Sequence, residues 1–498
     1  MVTNPALSRT LALGLAGAMP FPSRHGCPHP HTTALCCFFP QIPRRICNNL
    51  APGLLLMKQL TFCLLFCGVA ISFALAQAAP ASSTTPATPA PAASSSTPSD
   101  IILEYSPPPE QYQKAKEYSG ARYRHFFFNT FYGFLVLLVI LRWRVASAIR
   151  NLAEHVTSRR WLQIIIFAPL ALLCVSIPEL ATDINDQRLD LAFGISVQKW
   201  PSWLSDWITN QIVTLVVGTI LVAILFWVIR RSPRRWWFYF WLASIPVLLL
   251  VFFLQPLVID PLFFTFKPLQ GAQPVLVEEM QKVMHHGGID IPPERMFVMN
   301  ASSKTTGLNA YVTGFGSSKR VVVWDNTLTK ATVPETLFVF GHEMGHYVLL
   351  HIPKEIAIQA AIILILLYLA FRMSQWMLAR WGREWGIRDS GDLGALPAYY
   401  LVISLLAFLA TPAFNGVSRH FEHEADRYGI EVTHGIVANP SQVAAHYFQK
   451  SGEMNLSDPD PSEFAKIWFF DHPTRPERVR FVATYDPWSK GEQPIYVK

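Results

Sequence analysis

One stretch of the 498-residue chain has the residue types and spacing for hydrolytic chemistry: His342-Glu343-Met344-Gly345-His346. Histidines four apart project from the same face of a helix, so their imidazoles can share one metal ion. Glu343 sits about 100° round that helix, able to reach a water beside the metal without being a ligand. Neutral imidazoles suit zinc, and a carboxylate beside the open position can take a proton from the activated water. A catalytic zinc site holds three protein ligands and leaves one position to water. The third is sought in 418–430, SRHFEHEADRYGI, where Glu422 and Asp426 are four apart and share a helix face. Glu422 is assigned as the ligand and Asp426 as the acceptor for a ligand histidine N–H, fixing its tautomer. His420, His423 and Glu424 compete on spacing alone. His351, five residues after His346, points off the ligand face and reads as structural.

These residues need elements to hold them. Residues 333–351, VPETLFVFGHEMGHYVLLH, suit a helix that begins near Pro334, because no later proline interrupts it. Residues 309–312, beginning Asn309-Ala310, precede a turn-rich stretch at 314–320 and the apolar run 321–324, the pattern of a β-hairpin. A strand edging the zinc cleft could align an extended peptide at Asn309 and Ala310 through backbone hydrogen bonds, with the Asn309 amide adding one more. Asp471-His472-Pro473 lies near the end of the chain, with Arg475 and Arg478 close behind.

Composition sets the surroundings. The chain is 51% hydrophobic and only 15% charged, with mean hydropathy +0.26, against about 25% charged for an average soluble domain. That excludes a disordered chain, a nucleic-acid-binding tail protein and an ordinary cytosolic enzyme. The net charge of +7 is modest, and nucleic acid is not an expected partner. None of the seven cysteines lies beyond Cys174, so the C-terminal two-thirds holds no disulfide framework, cysteine nucleophile or thiolate metal site.

Six uncharged apolar segments, 126–141, 161–177, 207–229, 236–259, 356–371 and 393–417, read as membrane spans. Trp161, Trp207, Trp236 and Trp237 sit at segment ends, where indoles favour the interface. The expected fold is mainly α: a multi-pass helical membrane protein with a split α+β zincin-like domain. Residues 101–259 form a four-span membrane domain, and 260–355 the first part of the peptidase domain. Two further spans fill 356–417, and 418–498 completes the peptidase domain. Upstream, Met57-Lys58 opens a signal peptide ending near 78, followed by an Ala/Pro/Ser/Thr spacer at 79–100. Residues 1–56 have the texture of a start codon placed too early.

Four motifs, HEMGH at 342–346, SRHFEHEAD at 418–426, LNAYVTG at 308–314 and DHPTRPERV at 471–479, together resemble the integral-membrane zinc endopeptidases of the CAAX prenyl protease 1 type, with HtpX-like proteases as more distant relatives. The resemblance covers about residues 101–490. It implies Glu422 as the third zinc ligand and brings His472 to the active site, where a donor would stabilise the tetrahedral oxyanion; Arg478 is placed with it on the substrate side. The expectation is therefore a membrane-embedded zinc endopeptidase with one Zn²⁺ per chain. Its partners are the lipid bilayer and peptide or membrane-protein substrates, in CAAX-type processing or membrane quality control. The alternative is a catalytically silent membrane scaffold.

Loop charge gives an orientation. Residues 142–160 carry five Arg and one Glu, whereas 178–206 carry two basic and five acidic residues. Arg230, Arg231, Arg234 and Arg235, then Arg372, Arg380, Arg383 and Arg388, crowd two further connections. Positive loops stay in the cytoplasm, which places the catalytic domain on the outer side of a bacterial inner membrane. A cleaved signal peptide demands the same start, whereas the eukaryotic members of the resembling family argue the reverse.

Overall fold

The computed structural model describes residues 101–313 and 319–497. The signal segment, the spacer and the upstream 56 residues lie outside the described residues, as does most of the turn-rich stretch at 314–320. Among the described residues, six helical stretches are long and apolar enough to cross a membrane. They are α1 (Pro109–Arg142), α3 (Arg160–Phe193), α4 (Trp200–Arg231), α5 (Trp236–Leu254, continued by further helical turns to Phe263), α8 (His351–Trp381) and α9 (Leu396–Thr433, preceded by a short turn from Leu393). A shorter helix, α2 (Val145–Val156), joins α1 to α3.

The helices outrun the apolar segments that announce them. α1 and α8 have 34 and 31 residues, where uncharged runs suggest 16 each. The stretch expected as an acidic loop after residue 177 is largely helix: α3 continues through Pro178 to Phe193 and carries Asp183, Asp186 and Asp190 in regular structure. These carboxylates have partners inside the protein. Asp186 meets His125 and Asn129 at 2.7 and 2.9 Å, and Asp183 accepts the Trp207 indole N–H at 2.9 Å. Counting uncharged residues misses helix ends whose polar groups face protein instead of lipid. Trp236 is corrected likewise: it is fully buried against Phe371 and Tyr399 and is not an interfacial indole.

The junction expected at 417/418 falls inside α9. This 38-residue helix, about 57 Å long, runs unbroken from the apolar bundle to the Glu422–Asp426 pair. A membrane helix thus carries half of the site directly.

Between α5 and α8 the chain builds a four-stranded sheet in the order β1 (Phe266–Pro268), β2 (Met296–Met299), β4 (Arg320–Trp324), β3 (Ala310–Thr313). β2 and β4 run parallel, while β3 pairs antiparallel with β4, as the hairpin pattern requires. Helix α6 (Pro274–His286) packs against α7 (Val333–Val348), which in turn lies along β3. After α9 come α10 (Pro440–Met454), α11 (Glu463–Phe469) and α12 (Arg475–Thr484). The apolar faces of α6, α7, α9, α10 and α12 share one core, built on Met280, Phe338, Phe340, Ile430, Phe448 and Val479. A second core fills the bundle around Phe167, Phe226, Trp236 and Tyr399.

Helix α7 begins where its sequence says. Thr332 caps it in a reciprocal box with Glu335, and Pro334 lies in the first turn, where its missing N–H costs nothing. It ends earlier than expected. Leu350 adopts φ +57°, the chain turns, and His351 opens α8.

Candidate active site

Helices α7 and α9 touch through small residues. A Cβ on Gly345 would stand 3.2 Å from the Ala425 Cα, and one on Gly429 3.0 Å from the His342 amide nitrogen. Only with both backbones this close can the short Glu422 side chain meet two imidazoles of the facing helix. His342 Nε2 and His346 Nε2 lie 3.2 Å apart, with Glu422 Oε2 3.3 Å from the first and Oε1 3.4 Å from the second. The three residues offer ligand atoms all within 4.8 Å of one another.

The donor set fits a metal ion. His342 Nδ1 lies 2.9 Å from Asp426 Oδ1, so its N–H points at that carboxylate and its Nε2 lone pair points inward. That lone pair then faces another imidazole nitrogen and the buried Glu422 Oε2, which has no hydrogen-bond partner. Acceptors converging on acceptors repel unless a cation sits among them. The same negative surroundings outweigh the burial of His342, which by itself would lower its pKa, and raise it to about 9. The pocket demands positive charge, and two imidazoles with one carboxylate are the ligand types zinc takes.

Asp426 is completely buried and also takes a two-armed hydrogen bond from Arg478, from Nε at 2.8 Å and from Nη2. Arg478 lines the cleft, as a residue on the substrate side would, while its guanidinium is engaged with Asp426 and lies 3.4 Å from His342 Nδ1. Arg478 positions Asp426, which positions His342. His351 is not one of the three converging residues and sits behind them. Because the chain turns at Leu350, its Nδ1 comes to 3.3 Å from His346 Nδ1, with Glu424 Oε2 3.2 Å from its other nitrogen. Each histidine of the pair therefore has its outer nitrogen held from behind.

The competitors for the third position are elsewhere. His423 packs on the Phe481 ring at 4.2 Å, His420 is exposed, and Glu424 is engaged with His351 and the Tyr496 hydroxyl. Glu343 faces the cleft, and burial pushes its carboxyl above the ordinary range, towards the strength of a useful base at neutral pH. His472 stands half-exposed at the rim, with Nε2 3.2 Å from Glu422 Oε2 and Nδ1 2.8 Å from Asp471. Its loop is held by Arg419 of α9, which donates to the Phe470 carbonyl at 2.5 Å, and by the Thr474–Glu477 capping box that opens α12.

These groups open onto a cleft of about 230 Å³. Strand β3 is the sheet edge beside it, with exposed Asn309 lining the cleft and Ala310 buried at the strand's start. The far wall is apolar, from Leu308, Phe338, Val339 and Phe448. In that wall sits Arg475, the cation that sequence reasoning left without a role. No carboxylate lies within ion-pair distance of it among the described residues, and it rests 5.5 Å over the Phe448 ring. Burial, and then the charge of Arg478, lower its pKa to about 10. The signal for it was present only as a second arginine three residues before Arg478, one helical turn away.

The comparisons agree with this geometry. Residues 272–486 match the model of peptidase family M48, and residues 93–265 match that of the CAAX prenyl protease N-terminal region, described as five membrane helices. Four of the six long apolar helices fall in the latter range. The chain is 33% identical over 372 residues to an uncharacterized metalloprotease of Bacillus subtilis, YhfN, covering 75% of this chain and 85% of that protein. It is 26% identical to a CAAX prenyl protease 1 homolog of Dictyostelium discoideum (58% of this chain, 66% of that one) and 23% identical to the human homolog (75% and 86%). Among solved structures, Ste24p of S. mikatae superposes with a TM-score of 0.65 at 19% identity, covering 90% of this chain and all of that one. The fold is shared.

Proposed function

The chain belongs to peptidase family M48 and is a multi-pass membrane metallopeptidase; from that premise we propose that its metal is a single zinc ion held by His342, His346 and Glu422, and that it cleaves peptides near a free C-terminus. The observation carrying the first part is the convergence of ligand atoms from two imidazoles and one carboxylate around one point, with Glu343 in the adjoining cleft. When bound, the ion supplies Lewis acidity, polarising the scissile carbonyl and making water a stronger acid.

The protein's own groups do the rest. The free edge of β3 and the Asn309 amide hold the peptide extended across the cleft. Glu343 takes a proton from the attacking water and returns it to the departing amine, so one water is consumed and one peptide bond is broken. His472 donates Nε2–H to the carbonyl oxygen as it gains charge. Asp426, backed by Arg478, keeps the His342 ring from turning. Purified protein should hydrolyse peptides in detergent, lose that activity to a chelator and regain it with zinc. Chelator-resistant cleavage, or none at all, rejects this reading and leaves the scaffold alternative.

Arg475 supports the C-terminal preference. It lies one turn of α12 from Arg478, so its charge is within a few extended residues of the scissile bond, beyond an apolar wall that would take a hydrophobic side chain. Arg475→Gln should raise KM about tenfold or more for a peptide with a free carboxylate and leave its amidated counterpart unchanged. Equal effects on both would show that Arg475 does not read the terminus.

We also place the site on the outer face of a bacterial inner membrane, a reading favoured by the bacterial relative and by two features of the fold. Residues 101–108 are bonded to α10, through Ile102 to Gln442 at 2.9 Å and Ser106 to Gln449 at 3.0 Å, so the chain enters on the side of the peptidase domain. Arg144, Arg150, Arg230 and Arg388 gather at the opposite end of the bundle, which the charge rule assigns to the cytoplasm. An export-dependent reporter fused after Lys498 should be active. A silent export reporter, together with a fluorescent cytoplasmic one, would reverse the topology.

A further inference from the structure

At the start of α9, about 40 Å along that helix from Glu422, lies a second pocket of about 450 Å³ that takes no part in peptide hydrolysis. Four arginines line it, Arg150, Arg160, Arg230 and Arg388, against the three carboxylates Glu154, Asp389 and Asp392. Two of the arginines are already neutralised. Arg150 forms a buried ion pair with Asp392, and Arg388 grips Glu154 with both arms, at 2.7 and 2.8 Å. Asp389 is turned into its own loop, where it accepts the Gly391 amide N–H at 2.7 Å.

Arg160 and Arg230 are left over. Arg230 donates Nε to the Gly391 carbonyl at 3.1 Å, and Arg160 is exposed at the first residue of α3. Among the described residues no carboxylate lies within ion-pair distance of either one. Arg230 feels the charge of Arg160 and, against it, those of Asp389 and Asp392 at longer range. A Cβ on Gly391 would stand 3.1 Å from Arg230 Cγ, so the loop passes close over that side chain. Two unpaired guanidinium groups facing one polar cavity lower their energy by sharing an anion with several acceptor oxygens. Phosphate offers that geometry better than any carboxylate still available in the protein.

The surroundings identify the source of the phosphate. Trp161, the neighbour of Arg160, is 58% exposed at the end of a membrane-spanning helix, the position indoles take at headgroup depth. Anionic lipids collect at the cytoplasmic face, where each nearby arginine strengthens their binding. We propose that this pocket is a binding site for the phosphodiester headgroup of an anionic phospholipid, with Arg160 and Arg230 as its phosphate-binding residues. The site is independent of the metal centre and of the peptide-cleaving reaction.

The test is equilibrium binding of phosphatidylglycerol, phosphatidylcholine and inorganic phosphate to the full chain in a neutral detergent, read by native mass spectrometry. Phosphatidylglycerol should bind preferentially. Arg160→Ala should weaken it about fivefold and Arg160→Ala with Arg230→Gln about 25-fold, while Arg142→Ala, exposed and outside the pocket, should stay within about twofold. Arg160 is exposed, so the single variant keeps the fold and decides the matter even if the double variant does not fold. Equal binding of the two lipids, or an Arg160→Ala protein that binds phosphatidylglycerol as the unaltered chain does, overturns the proposal. Inorganic phosphate that competes at equal concentration overturns its assignment to lipid.

Discussion

Glu343→Gln should leave the metal in place and remove proteolysis. The substitution keeps the size and shape of the side chain, so α7, its capping box and its close contact with α9 are undisturbed. Glutamine cannot accept the proton that the attacking water must shed. General-base steps of this kind contribute about 10²–10⁴-fold, and here the same group also delivers the proton to the leaving amine, so a loss of about a thousandfold or more is expected. Glu343 is outside the converging trio of His342, His346 and Glu422, so metal content should remain one ion per chain. Peptide hydrolysis rates and elemental analysis of the same preparation check both halves. An active, metal-loaded variant would remove Glu343 from the mechanism, whereas loss of the metal would make it a ligand.

The grouping of His342, His346 and Glu422 was largely legible because its logic is local. Two histidines four apart on a helix with a clear start, and two carboxylates four apart on another, define faces without knowledge of the fold. What the sequence left open was which faces meet. Glu422 was preferred, but spacing alone did not exclude His420, His423 and Glu424; the resemblance, and then the crossing of α7 and α9, set them apart. That crossing is itself written in the sequence, in Gly345, Ala425 and Gly429, but only as small residues whose partners cannot be known in advance.

What stayed hidden has a common cause. No periodicity announces the positive φ at Leu350, which turns His351 back towards His346. Nothing in a linear motif reveals that Asp426 lies buried within reach of Arg478. Arg475 lies over Phe448 and Arg419 holds the Phe470 carbonyl, contacts between residues distant in the chain. The span boundaries erred for a different reason. Counting apolar residues finds where lipid touches a helix, and α1, α3, α8 and α9 extend beyond the lipid on contacts with protein.

Glu422→Ala should cost the protein its metal. The change leaves His342 and His346 with no third ligand and removes the negative charge nearest them. Substitutions of residues that merely orient a ligand weaken metal binding about 10–100-fold, and loss of a direct ligand should exceed that. Stoichiometry after dialysis against a weak chelator should therefore fall from one to near zero, and activity should vanish with it. The side chain lies at the helix contact, so thermal unfolding of metal-free samples of both proteins separates a lost ligand from a lost fold. Glu422 faces both imidazoles at ion-pair distance, so its loss should lower the melting temperature of the metal-free protein while the transition stays cooperative. His423→Ala provides the contrast: its ring lies on Phe481, 4.2 Å between centroids, and its loss should leave metal content and activity near those of the unaltered chain. Full metal in Glu422→Ala with none in His423→Ala would mean that α9 presents a different face to α7 when the ion is bound.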